Sequence, residues 1–301
     1  MQIKDQSITP RRLPEWLKVK MPGGSNYLRL QSMLRKSNLH TVCEEARCPN
    51  IYECWDKRTA TVMILGDTCT RSCGFCSIKT GKPLEIDYDE PRRVASLVKT
   101  LNLRHVVITS VDRDELTDDY GAMIWHETIV AIRKNVPKCT IEVLTPDFRG
   151  YEPSLDLVFA SQPHIFSHNI ECVERISRKV RIQSNWNRSL DVLRYAVNRN
   201  MATKTGMMVG LGESDQEVFD TMDIIAEIGV KIFNIGQYLQ PSKDNLKVDR
   251  FVHPDIFKKY EEYGYSLGFK VVESGPLVRS SYHADSQARE FGLHDKYKIK
   301  E

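Results

Sequence analysis

The chain has 301 residues, enough for one large barrel or two small domains, and 41% of them are apolar, enough to build a core. Lys and Arg number 43 against 40 Asp and Glu, a net charge of +3, so bulk electrostatics argues against nucleic acid as a partner. The opening MQIKDQSITPRRLPEW lacks the apolar core of a signal peptide, and no apolar run nears the roughly 18 residues that cross a membrane. Eight cysteines without a secretion signal point to a reducing setting, where thiols serve metals rather than disulfides. The expectation is a cytoplasmic protein, and a mature organellar one stripped of its transit peptide would look the same.

Residues 1–24, with Pro10, Pro14, Pro22, Gly23 and Gly24, read as an irregular arm. Tyr27, Leu30, Met33 and Leu34 after a capping Ser25 predict a helix. A cysteine patch follows, with Cys43, Cys48 and Cys54 separated by four and then five residues. Beyond it the pattern becomes an alternation of strand and helix. Apolar, β-branched runs predict strands at 61–65, 105–109, 140–144, 164–167, 203–209, 231–235 and a short seventh at 270–272. Between them lie helical stripes: Val94, Leu97, Val98 and Leu101; Trp125, Ile129, Ile132 and Val136; Leu190, Leu193 and Val197. A helix at 172–180 precedes Arg181. Ser214 and Glu217 have capping-box spacing ahead of Val218, Met222, Ile225 and Ile228, with Gly229 as the stop, and a last helix follows Pro254.

Repeated βα units imply a parallel sheet wound by right-handed crossovers. Six units are too few for a closed eight-fold barrel, so the expected fold is α/β, an incomplete TIM-like barrel. The connection after the first strand runs from residue 66 to about 91, far longer than an ordinary βα loop. It lies at the strand ends where chemistry gathers in such folds.

That connection holds Cys69-Thr70-Arg71-Ser72-Cys73-Gly74-Phe75-Cys76. Three thiolates spaced so tightly can wrap one iron–sulfur cube from a single loop, leaving one iron for another ligand. A zinc knuckle, or a disulfide with a spare thiol, is the bland alternative. Structural zinc normally takes four protein ligands, however, and three cysteines cannot all pair. For Cys43, Cys48 and Cys54 alone, a cluster, a zinc site and plain buried thiols stay equally open. Cys139 and Cys172 match neither triplet and read as core or surface thiols, and His40 and His283 read first as structural.

The loop Cys69–Cys76, with Phe75 before its last cysteine, resembles the cluster loop of the radical S-adenosylmethionine (SAM) superfamily. Both triplets together with Arg279-Ser280-Ser281-Tyr282 are similar to the lipoyl synthase family, and the resemblance runs from about Arg11 to Ala288. It implies a (β/α)6 radical SAM barrel at 59–269. Extensions at 1–58 and 270–301 would carry an auxiliary cluster. It implies two 4Fe-4S clusters and SAM as cofactors. Cys69, Cys73 and Cys76 would hold the radical cluster, and Cys43, Cys48, Cys54 and Ser281 the auxiliary one. Arg279, Ser281 and Tyr282 would be catalytic. Phe75, Ser110, Asn169, Glu171, Arg181 and Met208 would contact SAM. The implied reaction inserts two sulfur atoms at C6 and C8 of a protein-bound octanoyl chain, with the auxiliary cluster as sulfur donor. The implied partners are octanoylated lipoyl carrier domains of the H-protein or 2-oxoacid dehydrogenase E2 type, a reductant such as flavodoxin or ferredoxin, and an iron–sulfur cluster carrier. No nucleic acid or membrane is expected. An alkoxide from Ser281 is a harder, less covalent iron ligand than thiolate, which suits a cluster that is dismantled. A non-enzymatic iron–sulfur carrier would need no such barrel, and a methylthio-transferring relative would carry a tRNA-binding module that is not evident.

Overall fold

A computed structural model describes residues 13–18, 39–41, 44, 48, 50–56 and 59–291. The helix expected after Ser25 and the thiol of Cys43 lie outside the described residues. Of the arm expected to be irregular, the described part forms a 3-10 turn, Glu15–Leu17, because Leu17 finds a buried site. Trp16 meets the His253 ring edge-on at 5.0 Å.

The chain then runs β1 (His40–Thr41), α1 (Ile51–Asp56), β2 (Thr59–Ile64), β3 (Thr68–Cys69), β4 (Lys79–Thr80), α2 (Glu90–Thr100) and β5 (His105–Ser110). It continues with α3 (Ala122–Asn135), β6 (Thr140–Leu144), α4 (Glu152–Ala160), β7 (Ile165–Ser167), α5 (Glu174–Val180), α6 (Trp186–Asn198) and β8 (Thr203–Val209). The last elements are α7 (Asp215–Ile228), β9 (Ile232–Gln237), α8 (Pro254–Ser266), β10 (Val271–Gly275) and α9 (Ala284–Glu290). Among the described residues the main sheet has eight strands in the order β1-β2-β5-β6-β7-β8-β9-β10 and does not close. All neighbours from β2 to β10 pair in parallel. β1 alone is antiparallel, with His40 opposite Met63 and Thr41 opposite Val62. The incomplete barrel expected from six βα units is thus the fold.

Alternation decides which side chain faces what. Val62, Ile64, Val106, Ile108, Ile141 and Val143 point to the helix layer, against Trp125, Ile129 and Ile132. Farther along, Met207, Val209, Phe233 and Ile235 meet Met222, Ile225, Phe257 and Tyr260. Each of these side chains contributes roughly 1.5–3 kcal/mol by leaving water. The α7 start is a true capping box: Ser214 Oγ accepts from the Glu217 amide at 3.2 Å, and the Glu217 carboxylate accepts from the Ser214 amide at 2.8 Å. Gly229 ends the helix at φ +94°, where a side chain would be strained. Helix α5 starts at 174 rather than 172, because Glu171 takes φ +66° and bridges to β8 at Met207.

The opposite face of the sheet is also covered, so its polar groups must pair. Glu142 and Lys204, both at 1% side-chain exposure, form an ion pair at 2.9 Å with His105 beside them. Helix α9 lies against β5 and β6 on this face, with Ala288 buried among Ile165, Ile232 and Val271. The segment 276–283, hereafter the strap, crosses from the β10 edge back towards the β2 edge. There Asn50 Nδ2 donates to the Leu277 carbonyl at 2.6 Å. Among the described residues the strap therefore links the β10 side of the open sheet to the chain around Asn50 beside β2.

Candidate functional site

The cysteine loop leaves β2 and is pinned by its backbone and by one arginine. β3 and β4 form a short parallel ladder through Cys69. The Thr70 amide donates to the Asp112 carbonyl at 3.1 Å, the Gly74 amide to the Val180 carbonyl at 2.9 Å, and the Leu246 amide to the Gly74 carbonyl at 2.9 Å. Arg71, only 4% exposed, reaches the ends of β5 and β6. It donates bidentately to Asp114 at 2.7 and 2.8 Å and to Asp147 at 2.7 Å, and lies 3.2 Å from Asp112. Burial would raise Asp147, yet Arg71 more than offsets it, and the carboxyl stays well below the usual range. Breaking so buried a network by removing one partner costs about 3–5 kcal/mol.

This frame sets Cys69, Cys73 and Cys76 together, half-buried and free of disulfides. The Cys69 sulfur accepts from the amides of Arg71 at 3.4 Å and Asp112 at 3.3 Å, and backbone amides of Ile78 and Ser77 point at Cys76. Burial and then the Asp112 charge push the Cys69 thiol up to about 11. Burial, Asp112 and Cys76 push Cys73 to about 12. Thiols held so need a cation to become thiolates, and metal uptake here releases protons. Among the described residues no three His, Cys, Asp or Glu side chains converge as one metal ion would require. A cube takes each thiolate on a different iron, and amide donors aimed at sulfur are what such clusters use. The loop fits a 4Fe-4S cluster.

Around the thiols stand the other expected residues. Phe75 and Met208 are partly buried against the same apolar cluster. Glu171 faces Cys73 and Cys76 closely enough to raise both thiols, and burial raises Glu171 in turn. Asn169 Nδ2 donates to Glu171 Oε1 at 3.2 Å. The guanidinium fork of Arg181, expected to contact SAM, is engaged by the protein itself. Nη1 donates to the Asn169 carbonyl at 3.1 Å and Nη2 to Ser189 at 2.7 Å, leaving buried Nε bare. Ser110 ends β5 and turns its hydroxyl onto the Val111 carbonyl at 2.8 Å. Cys139 and Cys172 are buried core thiols.

The second site is a small cleft lined by Cys48, Cys54, Arg279, Ser281 and Tyr282, with Asn50, Ile51, Thr59 and Thr61. It gathers residues from both ends of the chain. The Asn50 amide aims at the Cys48 thiol, which burial raises. The half-buried Arg279 guanidinium lines the same cleft, donates through Nη1 to the Val278 carbonyl at 2.6 Å, and is lowered by burial. A desolvated cation facing two thiols and a hydroxyl suits an anionic ligand such as a thiolate-held cluster. Tyr282 Oη donates to Glu53 at 3.2 Å, and the His283 ring stacks on Tyr282 at 3.8 Å and meets Glu53 at 3.4 Å. His283 is thus a structural clasp.

Sequence reasoning passed over Asp114, Asp147, Asn50, Glu53 and Asn234. For the two aspartates a signal existed: each follows a predicted strand at its C-terminal end. The others act across the fold and carry no local mark. The strap runs close over β9, where a Cβ on Gly236 would lie 2.1 Å from the Val278 carbonyl oxygen. Gly236→Ala is therefore expected to lift the strap at a cost of about 1–3 kcal/mol. Limited proteolysis reads this as faster cleavage within 276–283, and a wild-type cleavage rate would refute it.

The open parallel sheet and the thiol loop at its strand ends define a radical SAM enzyme, and residues 63–225 match the Radical SAM superfamily. Such an enzyme works with SAM and a 4Fe-4S cluster. The structure resembles SuiB from Streptococcus suis bound to S-adenosylmethionine, with TM-score 0.57 at 11% identity over 78% of this chain and 57% of that one. It also resembles methylornithine synthase (PylB), with TM-score 0.54 at 11% identity over 90% of this chain and 95% of that one. At that identity the likeness is one of fold. Residues 1–48 match the N-terminal domain of lipoyl synthase. The chain is 52% identical to lipoyl synthase of Flavobacterium psychrophilum over 94% of its length and 97% of the relative's. It is 53% identical to that of Rubrobacter xylanophilus over 92% and 87%, and 50% identical to the mitochondrial one of Nematostella vectensis over 95% and 99%. The chain belongs to the lipoyl synthase family. No described helix is long and apolar enough to cross a membrane.

Proposed function

We propose that the two sites divide the work of lipoyl synthesis on an octanoylated carrier protein. Cys69, Cys73 and Cys76 would hold the radical cluster, and Cys43, Cys48, Cys54 and Ser281 a second 4Fe-4S cluster that is consumed as the sulfur substrate. When bound and reduced, the first cluster supplies the electron that splits SAM, giving a radical able to take hydrogens from unactivated C6 and C8, which no side-chain base could remove. The chain's own residues arrange the rest. Arg71 fixes the loop, Phe75 and Met208 offer an apolar wall for the adenine, and Asn169 and Glu171 offer acceptors for a diol. Ser110 and the bare Nε of Arg181 remain for the polar end of SAM. Arg279 balances thiolate charge at the second site, and Tyr282 braces the strap on Glu53.

The observation that carries this reading is the single cleft shared by Cys48, Cys54 and the Arg279–Tyr282 motif. The division into an N-terminal extension (1–58), a SAM barrel (59–269) and a C-terminal extension (270–301) belongs to the same proposal. So do lipoyl carrier domains of the H-protein or 2-oxoacid dehydrogenase E2 type as substrates, and a flavodoxin or ferredoxin as reductant. An iron–sulfur carrier would replenish the spent cluster. A reducing, cytoplasmic setting, in which thiols serve metals rather than disulfides, belongs to the same proposal.

The test is the product mass profile on an octanoylated peptide. Ser281→Cys supplies a softer, tighter iron ligand of nearly the same reach. It is expected to keep both clusters and SAM cleavage but to stall after one sulfur, because the iron that must leave is now held by thiolate. Wild-type yields of the dithiolated product from Ser281→Cys would rule out a role for ligand lability at this position.

A further inference from the structure

Ser280 and Ser281 are neighbours in the strap but serve different neighbours. Ser281 lines the cleft with Cys48 and Cys54. Ser280 Oγ instead accepts a 2.7 Å hydrogen bond from Asn169 Nδ2, the same amide that donates to Glu171 Oε1 at 3.2 Å. Asn169 Oδ1 is buried without a partner among the described residues. The strap backbone has its own anchor: Asn234 Nδ2 donates to the carbonyls of Ser280 at 3.1 Å and Arg279 at 3.4 Å. Gln287 Nε2 in turn donates to Asn234 Oδ1 at 3.4 Å and to the Tyr282 carbonyl at 3.1 Å. One side-chain bond, Ser280 to Asn169, therefore joins the segment beside the radical-cluster thiols to the segment that presents Ser281.

We infer that Ser280 is a positioning residue that couples the two sites: through Asn169 it ties the seating of the strap, and so of Ser281, to occupancy of the SAM pocket. The inference rests on the proposed role of Asn169 and Glu171 towards SAM. The two N–H groups of the Asn169 amide serve one acceptor each, Glu171 and Ser280. A diol that donates to the Glu171 carboxylate fixes that carboxylate, and through it the plane of the amide, which keeps the second N–H aimed at Ser280. Binding of SAM strengthens the strap's hold, and by linkage a seated strap strengthens SAM binding by the same factor. The hydroxyl beside the sulfur-donor site is thus held in register when the radical source is in place.

The experiment is hydrogen exchange of the peptide spanning 276–291 in the reconstituted holoenzyme, with and without saturating SAM. In the wild type, SAM is expected to slow this exchange about three- to tenfold, the scale of one hydrogen bond. Ser280→Ala keeps every SAM-side side chain and should lose that slowing, while Ser280→Thr, which keeps the hydroxyl, should retain it. Asn169→Ala should lose it too, and the double variant should lose no more than either single one, the mark of one shared interaction. Full SAM-dependent slowing in Ser280→Ala overturns the coupling, as does a wild-type strap whose exchange SAM leaves unchanged. Iron content of Cys54→Ala is read alongside. If it equals the wild type's, the second-cluster reading fails, while the exchange data still decide the coupling.

Discussion

Replacing Cys69, Cys73 and Cys76 together by alanine is expected to abolish formation of 5′-deoxyadenosine from SAM, a loss on the order of 10³-fold or more, as when the group that carries the chemistry is removed. Iron per chain should fall from about eight to about four, since one of two cubes remains. The protein should stay folded, because the thiols are not what holds the loop. Arg71 with Asp112, Asp114 and Asp147, the ladder between β3 and β4, and the Gly74 contacts all survive the substitution. Circular dichroism and iron analysis separate this result from unfolding. A triple variant that still makes 5′-deoxyadenosine would falsify the assignment of the radical cluster to this loop.

The second large effect is expected from alanine at Cys43, Cys48 and Cys54. SAM cleavage should persist within a fewfold, since the loop at the strand ends is untouched. Sulfur insertion into an octanoylated peptide should drop below detection, at least about 10²-fold, because the sulfur source has no ligands. Cys48 and Cys54 meet the strap at the β2 edge, where Asn50 and Glu53 also hold it, so strap seating should outlast the loss of the thiols. Retained dithiolane product in this variant would sink the sacrificial role. Loss of SAM cleavage along with sulfur insertion would show instead that the two sites are one functional unit.

Much of this molecule is written in local spacing. The strands at 140–144 and 203–209 form at the predicted bounds because runs of β-branched and apolar residues fit a sheet covered on both faces. The capping box at Ser214 and Glu217 needs only residues three apart, and both of its hydrogen bonds form. The three thiols of the loop lie within eight residues, so their meeting needs no distant partner. The elements passed over are those without such a signature. In α9, ADSQARE, the apolar contact comes from two alanines, too little for an amphipathic stripe. In α1, IYECWD, six residues give barely more than one turn and a half. Helix α4 opens with Glu152 and Pro153, and its apolar side is short.

The sequence by itself determined the parallel βα winding, the open barrel and the three-thiol loop, because period, cap and cysteine spacing each act over a handful of residues. Only the tertiary structure decided that Ser281 faces Cys48 and Cys54, and that Ser280 reaches Asn169. It also decided that Arg71 is shared by three aspartates and that the fork of Arg181 turns inward. Many of those pairings join residues from the two sides of an open sheet, or from the ends of successive strands, as the hydrogen bond between Asn50 and Leu277 does across 227 positions. No local pattern specifies them, since the free energy that selects them arises only once the sheet has brought their elements together.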